Sequence, residues 1–167
     1  MDDLTYQRAE TTDSKEILGL LKRIAEWLRS KGIDQWRDFL DEKGEAKLAK
    51  RFREGEVYKV FKDGTLSGMF VIQWDDTFWH PEKNDGMACW VHTLGVDPAS
   101  RGHGIGVKIL SHIEGIAKGA GKKCVRLDCN ADNPKLCGFY ESQGFKVAGA
   151  KRWVEKDWNV RLYEKEV

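Results

Sequence analysis

The stretch Cys89-Trp90-Val91-His92-Thr93-Leu94-Gly95-Val96-Asp97-Pro98-Ala99-Ser100-Arg101-Gly102-His103-Gly104-Ile105-Gly106 decides how this chain folds. An apolar run, Cys89 to Val96, is broken by Asp97-Pro98, and beyond the glycines Ile105, Ile109, Ile113 and Ala117 recur at helical spacing. That order is strand, glycine-rich turn, helix. Gly102, Gly104 and Gly106 leave no Cβ between backbone and ligand, so the loop's N–H groups can converge on an anion at the positive end of the helix. The element reads as a pyrophosphate cradle.

Two better-known phosphate loops do not fit. A dinucleotide fingerprint needs Gly-x-Gly-x-x-Gly, but the third glycine comes one place early, at Gly106, with Val107 where it should stand. A P-loop counted from Gly102 would need glycine, lysine and a hydroxyl residue where the chain has Val107-Lys108-Ile109. The pattern that does match is Arg/Gln-x-x-Gly-x-Gly/Ala, on Arg101, Gly104 and Gly106. Upstream stands Leu94-Gly95-Val96-Asp97-Pro98. Downstream, after a second apolar strand from Cys124 to Cys129, come Asn133, Tyr140 and Gly144-Phe145. In these three motifs, and more loosely over nearly its whole length, the chain resembles the GNAT superfamily of N-acetyltransferases.

The resemblance implies a mixed α/β (α+β) fold. Its centre is a mostly antiparallel sheet of six to seven strands with a splayed parallel pair, flanked by about four helices. It also implies acetyl-CoA as co-substrate. The loop Arg101, Gly102, His103, Gly104, Ile105 and Gly106 would hold the pyrophosphate, mainly through main-chain N–H groups. The backbone of Leu94 and Val96, on a bulged fourth strand, would pair with pantetheine, and Asn133 would contact the cofactor. Leu136 departs from the family, which usually has a small alanine there.

Composition frames this reading. A length of 167 residues suits one domain, residues 1–167, with 41% hydrophobic and 33% charged residues. Net charge is +1 with the two signs intermixed, which favours neither nucleic acid nor an anionic membrane as partner. Met1-Asp2-Asp3 is unlike a secretory signal and no apolar run reaches the length of a membrane span, so a cytoplasmic protein is expected. Cys89, Cys124, Cys129 and Cys137 lie in apolar patterns without a Cys-x-x-Cys, and the histidines lack metal-ligand spacing, so buried thiols and no metal are expected.

The first strand is expected at Leu4 to Arg8. A helix follows, with Asp13 as N-cap, Glu16 completing a capping box, and Ile17, Leu20, Leu21, Ile24, Ala25 and Leu28 as its buried stripe up to Gly32. Further helical residues include Ala46 to Phe52. Val57 to Phe61 and Thr65 to Trp74 form a hairpin around Asp63-Gly64. The loop from Asp75 to Gly86 suits either amine selection through its aromatics and carboxylates or a solvated turn. Asn133-Pro134 opens the next helix, and Gly138 inside it suggests close packing. Two strands, Lys146 to Val154 and Trp158 to Lys165, end the chain.

Acetyl transfer requires an amine to lose a proton, a thiolate to gain one, and a donor to meet the carbonyl oxygen. Direct transfer in a ternary complex needs no protein nucleophile, and no nucleophilic triad is apparent. By the resemblance Tyr140 is the general acid, its free pKa of about 10 keeping it protonated. His92, two residues before Leu94, is the candidate base, with water as the alternative. Trp36, with Trp27 beside it, and Trp79 are candidate acceptor-side residues. The expected acceptor is a primary amine of a small molecule or peptide, and homodimerisation is left open. Two other readings compete: a noncatalytic acyl-CoA-binding sensor, and an acetyltransferase that modifies protein within an assembly.

Overall fold

A chain that alternates β-branched runs with amphipathic helices must bury one helix stripe against a sheet, and the computed structural model has that architecture. It describes residues 4–167, the side chain of Lys156 excepted, so Met1-Asp2-Asp3 lie outside the described residues. Seven strands form one mixed, mostly antiparallel sheet: β1 (Leu4–Arg8), β2 (Glu56–Lys62), β3 (Thr65–Gln73), β4 (Ala88–Val96), β5 (Cys124–Asn130), β6 (Lys146–Trp153) and β7 (Trp158–Glu166). Their order is β1-β2-β3-β4-β5-β7-β6, and β4 with β5 is the parallel pair. Four helices accompany them: α1 (Ser14–Ser30), α2 (Lys43–Glu54), α3 (Ile105–Gly119) and α4 (Pro134–Ser142).

The fold divides into two compact units, one of residues 4–72 and 93–109, the other of residues 73–92 and 110–167. In the first, β1 pairs with β2 from Leu4↔Lys62 to Arg8↔Tyr58, and β2 with β3 around Asp63-Gly64. Both turn residues have positive φ, +49° and +76°, the requirement of the tight hairpin turn that the Asp-Gly pair signals. α1 buries Ile17, Leu20, Leu21, Ile24 and Ala25 with Met69, Val71 and Phe39. Fully buried aliphatic side chains of this kind contribute about 1.5–3 kcal/mol each.

The start of α1 differs from the sequence expectation. Asp13 precedes the helix but makes no side-chain cap bond to it. The capping box instead closes the preceding 3-10 turn, where the Glu10 N–H donates to Asp13 Oδ2 at 2.9 Å. The physical reason is Lys59, an inward-facing amine on β2 that draws Asp13 (2.9 Å) and Glu16 (3.2 Å) to itself. A buried ammonium gains more from two carboxylates than a helix end gains from a cap.

In the second unit, β5 runs antiparallel to β7 over its whole length and β6 to β7 likewise. Ala88, Trp90, Cys124 and Leu162 form a small core cluster. The Asn133 side chain caps α4 by accepting from the Leu136 N–H at 3.2 Å, with Pro134 as the first helical residue. The close packing expected at Gly138 is absent: the residue is exposed and a Cβ there would meet nothing within 4 Å. The four cysteines are free and buried, Cys129 and Cys137 with their sulfurs 3.7 Å apart.

Candidate functional site

The glycine turn lies in the first unit, between β4 and α3. Asp97 directly follows β4 and is fixed three ways: its N–H donates to the Ser67 carbonyl (2.8 Å), its Oδ1 accepts from the Ala99 N–H (2.9 Å), and its Oδ2 accepts from Arg23 Nε and Nη2 (2.9 and 2.7 Å). From this anchor the chain turns through Gly102 at φ +82° and Gly104 at +67°. A Cβ at either position would meet no protein atom within 4 Å, so glycine is required by backbone angle and the space before the loop is open. Arg101, Gly102, His103 and Gly104 are exposed, Gly106 is half-buried, and Ile105 turns its side chain into the core. The first N–H groups of α3 have no intrahelical acceptor and carry the positive end of the helix dipole. The backbone therefore fits an anion of the pyrophosphate kind. The Arg101 side chain is directed elsewhere, its guanidinium carbon 3.5 Å from the ring centre of Trp27.

β4 is bent just ahead of the loop. Thr93 has φ +52°, a left-handed conformation that a β-branched residue rarely adopts. Such an outlier in a strand marks a local bulge. The parallel register of β4 with β5 runs from Ala88↔Cys124 to Val91↔Leu127, ahead of that bend. Leu94 and Val96 follow it, both half-buried. Trp36, also at positive φ (+60°), lays its ring against Gly95, where a Cβ would come within 2.9 Å of it.

Tyr140 lies in the second unit, on α4, only 6% exposed and packed against Phe139, Phe145 and Tyr163. Burial first, then the charges of Cys129, Asp128 and Cys137, push its phenol pKa up, so it is protonated throughout the neutral range. His92 is buried at the end of this unit's share of β4, immediately before Thr93. Trp79 packs with Phe78 and Trp153, ring centres 5.4 and 4.9 Å away.

The loop between β3 and β4 is solvated over most of its length but turns two side chains inward. Asp76 and His80 are buried, 2% and 3% exposed. The Asp76 side chain accepts from the N–H groups of Phe78 (3.1 Å) and Trp79 (2.8 Å), which folds the loop inward. His80 Nε2 is 2.8 Å from Asp128 Oδ2, its ring stacks on Trp90 at 5.9 Å with planes 6° apart, and Nδ1 is 3.6 Å from Glu82. Burial alone would lower the His80 pKa; the bond to Asp128 and the charges of Asp128, Asp76 and Glu82 outweigh it and raise the value.

Sequence reading did not single out Asp128 or His80. Asp128 carried a signal: it is a carboxylate inside a strand whose neighbours Leu127 and Cys129 are apolar. His80 carried none, because its partner is 48 residues away. Among the described residues no group of three or more His, Cys, Asp or Glu side chains could hold a metal ion.

The family described as Acetyltransferase (GNAT) matches residues 21–145. The chain belongs to this family. It is 31% identical over 160 residues to the uncharacterised N-acetyltransferase YesJ of Bacillus subtilis, covering 93% of this chain and 86% of that protein. A GNAT-family acetyltransferase structure from Listeria monocytogenes superposes with a TM-score of 0.80 at 25% identity, over 98% of this chain and 95% of that one. A GNAT-family acetyltransferase from Elizabethkingia anophelis, with acetyl-CoA bound, has the same fold at a TM-score of 0.73 and 15% identity, over the full length of both chains. The glycine turn, the bent fourth strand and the tyrosine helix of this GNAT chain all lie within the matched residues. Among the described residues, no helix is long and apolar enough to cross a membrane.

Proposed function

We propose that this protein transfers the acetyl group of acetyl-CoA directly to a primary amine of a small molecule or peptide. The observation that carries this reading is the turn at Gly102 and Gly104: two left-handed glycines, open space before them, and a helix N-terminus behind. A GNAT structure of the same fold holds acetyl-CoA, which supports the choice of anion. The loop's main chain takes the pyrophosphate, the backbone of Leu94 and Val96 pairs with pantetheine, and Asn133 lies beside the cofactor. Tyr140, a phenol protonated at neutral pH and kept so by burial, donates its proton to the sulfur as the C–S bond breaks.

The acceptor ammonium must lose a proton before its nitrogen attacks the carbonyl carbon. We take Asp128 rather than His92 or water as the proton's acceptor, because His92 is buried whereas the Asp128 side chain is 24% exposed, with one oxygen held by His80. Trp79, with Phe78 and Trp153, borders the amine side, and Trp36 supports β4 through Gly95.

The test is a panel of polyamines, amino acids, aminoglycosides and peptides assayed for coenzyme A release, with Gly104→Glu as control. Release with at least one amine is expected, together with loss of acetyl-CoA binding in the folded variant by calorimetry, since a carboxylate would stand where pyrophosphate belongs. Unchanged acetyl-CoA affinity in Gly104→Glu would overturn the assignment of the loop. Acetyl-CoA binding without transfer to any amine in the panel would overturn the assignment of the reaction.

A further inference from the structure

We propose that His80 is the positioning residue for the acceptor's proton acceptor: it holds the Asp128 carboxylate in one orientation. The inference rests on the reaction proposed above and adds to it a residue that touches neither reactant. Its ground is geometric. His80 is 3% exposed, sits on Trp90 of β4 with nearly parallel rings, and places Nε2 2.8 Å from one oxygen of Asp128 on β5. The Asp128 side chain is 24% exposed, so on this proposal the ammonium meets its other oxygen.

A buried imidazole clamped in this way has little freedom to do anything else. The loop that carries it is itself tied down: Asp76 accepts from two backbone N–H groups of the loop, and Lys151 of β6 donates to the Trp79 carbonyl at 2.8 Å. Behind Trp90, Arg126 lies 5.5 Å from the ring centre and is neutralised by Asp85 and Glu164. The charged groups that His80 meets are therefore Asp128 from the sheet and Asp76 and Glu82 from its own loop, with Lys151 acting on Glu82. Three carboxylates around one imidazole favour its protonated form.

The proton balance is simple. An N–H bond of the acceptor ammonium breaks, its electron pair stays on nitrogen for attack, and the proton passes to the outward oxygen of Asp128.

Three variants test this with a single acceptor amine, so that the acceptor's own titration is common to all. His80→Gln keeps a donor to Asp128 but cannot titrate. We expect kcat within about 3-fold of wild type. His80→Phe keeps the stacking on Trp90 and loses the donor; kcat should fall about 10-fold or more at every pH, with the Kd for acetyl-CoA unchanged. Asp128→Asn should fall at least as far. If His80→Phe keeps the wild-type kcat, or His80→Gln falls as far as His80→Phe, the proposal is overturned while acetyl transfer stands.

A readout without turnover separates the two readings further. The His80 ring, followed by nitrogen NMR in the wild type, should titrate above the ordinary histidine range and return toward it in Asp128→Asn. A ring titration untouched by Asp128→Asn would overturn the coupling even in an enzyme with full activity. Absence of coenzyme A release from the wild type would instead defeat the reaction itself.

Discussion

Tyr140 combines a local motif with a buried position, and Tyr140→Phe separates what each contributes. The substitution removes one hydroxyl from a side chain whose ring contacts, to Phe139, Phe145 and Tyr163, it leaves in place. A phenol held protonated by burial gives a strong hydrogen bond only once charge develops on a neighbouring sulfur. Turnover should therefore fall about 10²-fold while acetyl-CoA affinity stays within a few-fold. Steady-state kinetics beside calorimetry checks this; a parallel loss of affinity and melting temperature would make Tyr140 a packing residue. Tyr140 was legible as a candidate only through the resemblance, because Asn133, Tyr140 and Gly144-Phe145 stand at the family's spacing. The His80 and Asp128 pair was not, since nothing in a β3–β4 loop announces a partner on β5. His92 was legible only as a titratable residue on the right strand, and the structure finds it buried beside the bulge.

β4 shows how an element imposes on its neighbours. Gly95 stands one residue after Leu94, and a Cβ there would lie 2.8 Å from Ile24 Cδ1 and 2.9 Å from Trp36 Cη2. Gly95→Ala must push α1 or the Trp36 ring away from the strand that Thr93 has already bent. Overpacking of this kind costs about 1–3 kcal/mol. The expected result is a lowered denaturation midpoint with an altered Trp36 environment, read by tryptophan fluorescence; an unchanged midpoint would show that the Trp36 contact yields freely. Elements themselves were largely legible. Helical spacing located α1, the Asp-Gly turn located β2 and β3, and the Asn-Pro pair located α4. What local pattern could not supply was the destination of side chains with two possible uses. Asp13 has the form of a helix cap and serves Lys59, and Arg101 has the form of a phosphate ligand and lies on Trp27. Gly138 suggests a tight contact where there is open space.

For the whole molecule, the near-zero net charge conceals carboxylates and a histidine with opposed pH behaviour, and this decides the shape of its stability curve. Asp85, bonded by Arg126 and by the Met87 N–H, has its pKa lowered to about 2. Asp13 and Glu82 are also lowered, Asp13 chiefly by the Glu10 N–H and Lys59, Glu82 chiefly by its backbone. A depressed carboxylate stabilises the fold above its unfolded pKa and loses that contribution as pH falls through the folded value, here from about 4 toward 2. His80 works in the other direction. Its raised pKa gives stability that is complete below about 6.5 and is lost as pH climbs through the folded value. Both contributions are present together only between these limits, so the melting temperature should peak in mildly acidic solution and fall on either side. Scanning calorimetry from pH 2.5 to about 9 measures the curve. Asp85→Asn should shallow the acidic side, leaving a residual slope from Asp13 and Glu82, and should not touch the alkaline side. His80→Gln should shallow the alkaline side alone. An acidic slope unchanged in Asp85→Asn would mean that the bidentate Arg126 contact, although formed at 2.8 and 2.9 Å, exerts no net pull on that carboxylate. The buried arginine would then owe its place to Glu164 and the Lys83 carbonyl.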